Sequence, residues 1–240
     1  MIGTILNIAT VIIGGGLGSL LGDRLPDKTR ETVLAGLGLM TSAVGMSMAL
    51  QTKNVLIPMF SVLLGGVLGE WARLEDHLEA VGRWLERRVG QRMASGQRSV
   101  TRAFVTASLV FCIGPMTILG SIQDGLTGDF QLLAVKSLLD GFASLAFAAT
   151  LGPGVILSAL TILVVQGSIT GLTVALGSTL GEVTRQTPWV IEMTATGGVL
   201  VLGISLLLLD LRRVRVGNLM PAVLLAPLIV VALQALHINY

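Results

Sequence analysis

Eight stretches of this chain run about the length of a bilayer crossing with almost no charge, and that pattern leaves few folds open to it. They are residues 3–22, 32–51, 54–70, 100–122, 131–151, 154–181, 188–209 and 217–236. In a hydrocarbon core every backbone amide and carbonyl must be satisfied within its own helix or in a closed barrel, so apolar runs of this length dictate α-helices. Composition agrees: 52% of the 240 residues are hydrophobic and 12% are charged, against roughly 25% charged in a soluble domain. The expected fold is an all-α membrane protein of about eight transmembrane helices, with little chain left for a soluble domain. The first 22 residues lack a basic leader and a small-residue cleavage site, and read as a retained first span. Pro153 and Pro188 open the sixth and seventh spans, where a missing N–H costs nothing.

The basic residues give these spans a direction. Arg24, Lys28 and Arg30 follow span 1. Arg73, Arg83, Arg87, Arg88, Arg92, Arg98 and Arg102 follow span 3. Arg212, Arg213 and Arg215 follow span 7. With eight spans all of these fall on one side, leaving only Lys53 and Arg185 on the other and Lys136 within span 5. Lys and Arg collect on the cytoplasmic side, so both termini are expected outside.

The long polar segment, Trp71 to Arg98, carries Trp71, Leu74, Leu78, Val81 and Leu85 at spacings of three and four, with Arg83, Glu86 and Arg87 off that stripe. This predicts an amphipathic helix. With Trp84 beside the stripe it fits the inner membrane surface; it fits equally well a helix packed on its own bundle or on a second copy in a homo-oligomer. Nucleic acid is not an expected partner, because Glu75, Asp76, Glu79 and Glu86 dilute the positive field.

An internal repeat is visible. Leu17-Gly18-Ser19-Leu20-Leu21-Gly22-Asp23 matches Leu176-Gly177-Ser178-Thr179-Leu180-Gly181-Glu182 at five positions, with an acid ending both. Glu31, Gly36 and Gly45 then line up with Glu192, Gly197 and Gly203, and Asn54 and Pro58 with Asn218 and Pro221. Spans 1–3 and spans 6–8 are therefore expected to be copies, inverted by the topology, around a central polar pair, spans 4 and 5. That plan is common in secondary transporters, with binding near the midplane. It divides the chain into 1–70 (first copy), 71–99 (cytoplasmic helix), 100–152 (polar core) and 153–240 (second copy). The glycines spaced four apart, Gly14/Gly18/Gly22 and Gly65/Gly69, suit close helix packing in lipid. Gly14-Gly15-Gly16 lacks the strand and Lys of a nucleotide loop.

The residues that carry chemistry sit in the centre. Pro115 cannot donate to the carbonyl of Phe111, so span 4 is expected to kink there. Asp140 lies near the middle of span 5 and Gln166 near the middle of span 6. A freed carbonyl, a carboxylate and an amide at one depth can form a cation site, tolerated in a membrane only where buried in protein or facing water. Lys136 and Asp140 are four apart and share a helix face. They form either a self-neutralising pair or a binding and proton-coupling pair. Lys136 lies about 8 Å inside the span's outer end and can snorkel, whereas Asp140 is too short; no other carboxylate reads as comparably deep. Asp140 is expected to face Pro115 and Gln166. Thr117 and Ser121 line the same face of span 4 or bond back to their own helix. Gln123 and Asp124 either extend that path or form a solvated helix end. Gln166 alone also fits an interhelical hydrogen bond. The substrate- or ion-binding set is thus Asp140, Lys136, Gln166, Pro115, Thr117, Ser121, Gln123 and Asp124. No cofactor motif, catalytic set or metal-ligand cluster is expected: Cys112 stands alone, and His77 and His237 are far apart.

GPMTILGSIQDG at 114–125, KSLLDGF at 136–142, VVQGSIT at 164–170 and the opening 26 residues resemble the uncharacterised bacterial inner-membrane family typified by YqgA and YdfK. The resemblance covers essentially the whole chain. It implies a multi-pass protein of the bacterial plasma membrane and brings no activity or site residues with it. From the charges and the repeat, the expected function is an ion- or proton-coupled carrier of a small ion or solute, not an enzyme. A passive pore, or an assembly or sensory protein using the cytoplasmic helix, remains open. The topology predicts that single cysteines near Asp27 and near Arg213 label from the same side of the membrane; labelling from opposite sides would remove both the span count and the inversion.

Overall fold

Without water to compete for them, backbone groups in the apolar runs close on themselves, and the described residues form helices and no strand. The computed structural model describes residues 1–22, 24–93, 99–176, 183–184 and 186–237, with the side chains of 89–93, 115 and 176 left aside. In order these are α1 (Ile2–Gly22), α2 (Asp27–Ala49), α3 (Leu56–Ala72), α4 (Leu74–Met93), α5 (Val100–Cys112), α6 (Pro115–Leu126), α7 (Gln131–Leu151), a 3₁₀ turn (Pro153–Leu157), α8 (Ser158–Leu176), α9 (Pro188–Leu208), the short α10 (Val216–Leu219) and α11 (Pro221–Ala235). Six helices are long and apolar enough to cross a membrane, and up to eight spans result if the pairs α3–α4 and α5–α6 each count as one. The 17 residues of α3 reach about 25 Å by themselves, the short end of the range for a span. Arg73 ends it in a left-handed conformation (φ 50°, ψ 45°), so Trp71 belongs to α3 and not to the amphipathic helix that follows.

The chain packs as two units, residues 1–36, 78–112 and 116–183, and residues 37–77, 113–115 and 184–240. They interleave along the sequence, because packing follows which helix faces meet and not the linear order of segments. The division 1–70, 71–99, 100–152 and 153–240 is therefore not a division by contact. The repeat motif at 177–182, along with Arg185 and Asp23, lies outside the described residues.

In the first unit α1 lies along α7. A Cβ on Gly14 would fall on the carbonyl of Gly141, one on Gly18 on the carbonyl of Leu145, and one on Gly22 2.5 Å from the carbonyl oxygen of Ala149. The partners advance in step, so the two helices are parallel and in backbone contact. The α5–α6 pair runs the other way. Gly154 abuts Val100 at its start, and Asp124 near its end meets Gly3 at the start of α1. Between them the helix stops at Cys112 and resumes at Pro115, bent by 60°. This is the break that a proline demands, and neither half is long enough to cross alone. α8 also opposes α1, since Ile156 lies at Gly15 while Thr170 and Thr173 lie at Gly125 of α6. On α4, Gly82 packs on Thr101 and Phe104, Leu85 is buried, and Glu86 accepts from the Val100 amide (3.3 Å) and the Thr101 hydroxyl. Trp84, Arg83, Arg87 and Arg88 face outward.

In the second unit α3 and α11 are antiparallel, with Gly65 against Ala222 and Gly69 against Asn218. α2 opposes α9, with Gly45 at Leu202 and Gly198 against Ala49. Large apolar side chains such as Leu20, Val67, Leu138 and Phe142 are exposed, as lipid-facing positions are.

The approach of α1 to α7 is backbone on backbone and cannot yield to a side chain. Gly18→Ala is expected to cost at least roughly 1–3 kcal/mol, read as a lower thermal midpoint in detergent. Gly16→Ala, where nothing lies within 4 Å, should leave it unchanged or raise it slightly.

Candidate functional site

Asp140 sits mid-way along α7, where its backbone amide is already used by the helix, so its carboxylate is left to side chains. Lys136, one turn earlier, pairs with Asp140 Oδ2, and Asn7 Nδ2 of α1 donates to the same oxygen at 3.0 Å. Lys136 is 5% exposed. It does not snorkel, because the ion pair holds it along the helix face that α1 covers. The partners of Asp140 are thus Lys136 and Asn7, not Gln166. Asn7 was absent from the candidate set. Its signal was there to find: an amide within the otherwise apolar first span must bond to something.

The other candidates divide by role. Pro115 starts α6. The carbonyl it frees, that of Phe111, accepts the Thr117 hydroxyl at 3.0 Å, so it is met by its own chain and is not left for a cation. Asp124 is buried, 5% exposed, and is no solvated helix end. It accepts from the amide of Gly3 at 3.2 Å, and the amino group of Met1 lies 2.9 Å away, so it caps α1 from another helix. Gln123 is half-buried, and its carbonyl accepts the Thr127 hydroxyl. Ser121 and Gln166 are fully buried. The Ser121 hydroxyl and both amide atoms of Gln166 have no hydrogen-bond partner among the described residues, nor do the buried Thr4 and Thr170 hydroxyls or Asn7 Oδ1.

Asp140 is not the most buried carboxylate, although it lies nearer the middle of its helix. Glu192 in α9 is 1% exposed. It accepts from the Thr52 hydroxyl (2.6 Å) and from the amides of Lys53 (2.9 Å) and Asn54 (3.4 Å). Sequence position put it near a span's end; the 52–54 segment folding over it buries it. Glu75 likewise accepts from the amide of Gly217 at 3.1 Å. These acids hold helix starts and turns, as Asp124 and Glu86 do. Asp140 instead meets side chains in mid-helix.

A chain of six to eight apolar crossings, all helical, with a paired Lys and Asp inside one span, belongs to the class of polytopic helical membrane proteins. It is a member of the family described as "Protein of unknown function (DUF554)", whose family model matches residues 2–231. It is similar to "Uncharacterized protein YqgA" of Escherichia coli (strain K12), 30% identical over 227 residues and 94% of each chain. It is also similar to "Uncharacterized membrane protein YdfK" of Bacillus subtilis (strain 168), 27% identical over the whole length of both. No solved structure matches.

Removing one member of a buried ion pair strands the other, at a cost of about 3–5 kcal/mol. Lys136→Met should lose stability of that order in chemical unfolding in detergent, and Lys136→Met with Asp140→Leu should recover most of it.

Proposed function

We propose that this protein is an ion- or proton-coupled carrier of a small ion or solute, with Asp140 and Lys136 as the coupling pair. The observation that supports it is the position of that pair. A charge in a span costs roughly 3 kcal/mol or more at the bilayer centre. Asp124, Glu75, Glu86 and Glu192 repay their burial by holding backbone amides. The Asp140–Lys136 pair holds no helix start and meets side chains alone, Asn7 of α1 among them, which is the arrangement a coupling pair would have. Buried polar side chains without a partner among the described residues, Gln166 among them, lie on α1, α6 and α8 of the same unit.

The reading places the protein in the bacterial plasma membrane with both termini outside. Opposed helix directions inside each unit support the alternation of spans: α1 and α7 run against α8, and α3 against α11; the outward side rests on the basic residues of the loops. The pairing of α2 with α9 and α3 with α11 suits an inverted repeat, whose counterparts meet across a two-fold axis. No enzyme activity is proposed. The exposed Trp84, with Arg88 stacked on its ring at 5.4 Å, favours a second reading, an assembly protein that uses α4 as its contact surface.

The test is flux in proteoliposomes, with a pH-sensitive dye inside and imposed gradients of sodium, potassium or protons. Asp140→Asn keeps the shape and an oxygen for Lys136. The variant should fold and insert, less stably than the native protein because Lys136 loses its counter-charge, but lose ion- or proton-linked flux. A folded Asp140→Asn protein with undiminished flux would refute the coupling role, and capture of a partner through α4 with no flux in the native protein would favour the second reading.

A further inference from the structure

Five buried residues of the first unit, Thr4, Asn7, Ser121, Gln166 and Thr170, keep polar atoms without a partner among the described residues. Helix registers bring them to neighbouring heights in the unit. Gly3 meets Asp124, so Asn7, a turn further along α1, lies level with Ser121, a turn back along α6. Thr170 and Thr173 meet Gly125, so Gln166, a turn earlier on α8, lies level with Ser121 too. An independent contact agrees: Gly15 meets Ile156, and following the antiparallel α1 and α8 from there sets Gln166 level with the Thr4–Asn7 turn.

The chemistry of the free atoms is specific. Asn7 Nδ2 donates to Asp140, so the atom left over must be the carbonyl oxygen Oδ1, which can only accept. That excludes an anion as its partner. Ser121 and Thr170 do not bond back to their own helices, although Ser61, Ser137, Thr173 and Thr194 do so to the carbonyl four residues before them. Their oxygens stay free for something else. Burying such groups unmet is costly, on the order of 1–3 kcal/mol each. The nearby formal charges are spoken for, Asp140 by Lys136 and Asp124 by the start of α1. A divalent ion wants carboxylates among its oxygens. The oxygens of Thr4, Asn7, Ser121, Gln166 and Thr170, all neutral, match a monovalent ion that exchanges its water shell for protein dipoles, with the donor Gln166 Nε2 outside its coordination.

We infer that Thr4, Asn7, Ser121, Gln166 and Thr170 form a binding site for a dehydrated alkali-metal cation, sodium or potassium. This rests on the carrier reading in naming the coupling ion, but binding is measurable without flux. Asn7 joins the two: its Oδ1 faces the cation while its Nδ2 holds Asp140, so occupancy of one side is felt at the other.

The experiment is thermal unfolding of the purified full-length protein in detergent, titrated with NaCl or KCl against choline chloride at constant ionic strength. One of the two cations should raise the midpoint in a saturable way. Gln166→Leu should raise the half-saturating concentration at least tenfold, whereas Gln166→Glu, which keeps an oxygen and adds a negative charge, should bind as tightly or more tightly. Should Gln166→Leu not fold, Ser121→Ala and Thr170→Val should each weaken binding several-fold. No difference between alkali cations and choline, or the same titration in the native protein and in the Gln166→Leu, Ser121→Ala and Thr170→Val variants, would overturn the site. Saturable binding without flux in proteoliposomes would keep the site and remove the carrier. Flux that depends on Asp140 without alkali-cation binding would keep the carrier and remove the site.

Discussion

A backbone amide at the start of a helix has no partner within that helix, and a low-dielectric interior offers it no water. This chain meets that constraint with carboxylates brought from elsewhere in the sequence. Asp124 of α6 takes the start of α1, Glu86 of α4 the start of α5, Glu192 of α9 the segment before α3, and Glu75 the turn at α10. The contacts of Asp124, Glu192 and Glu75 tie elements far apart in the chain and Glu86 ties α4 to the helix that follows it, and each fixes the relative height of its two elements. Arg30 does the converse at the end of α1, donating to the carbonyl of Gly22 at 2.7 Å. The registers of the helices, and so the heights at which polar side chains meet, depend on these caps.

Lateral position depends on glycine. With no side chains between them at Gly14, Gly18 and Gly22, α1 and α7 come into backbone contact. Asn7 lies two turns before Gly14 on α1, and Asp140 lies next to Gly141 on α7. The same approach that seats Gly14 on Gly141 therefore brings the amide of Asn7 to the carboxylate of Asp140. A packing device and a polar site are in this way one arrangement.

Much of the architecture was legible in the linear chain because the bilayer imposes it. Length and apolarity of the runs dictate helices, and their ends fall within a few residues of the windows read from the sequence, as at Gln131–Leu151 and Pro188–Leu208. The break at Pro115 follows from one missing N–H. The pairing of Lys136 with Asp140 follows from a spacing of four on one helix. Each of these is local: the residues that decide it are neighbours in sequence.

The chain left undecided whatever required two distant segments to meet. Asp124 reads as an exposed helix end until α1 starts against it, and Glu192 as an interfacial acid until residues 52–54 fold over it. Asn7 reads as a stray amide until α1 settles on α7. The freed carbonyl of Phe111 is claimed by Thr117 only because the bend turns α6 back toward it. By itself the sequence determined that this is a helical membrane protein, roughly how many times it crosses, and which span carries charge, since hydrocarbon permits little else. Tertiary structure alone decided which polar groups are satisfied and which are left over, because a hydrogen bond is settled by distance and direction in space, and those are set by helix registers that no local pattern encodes.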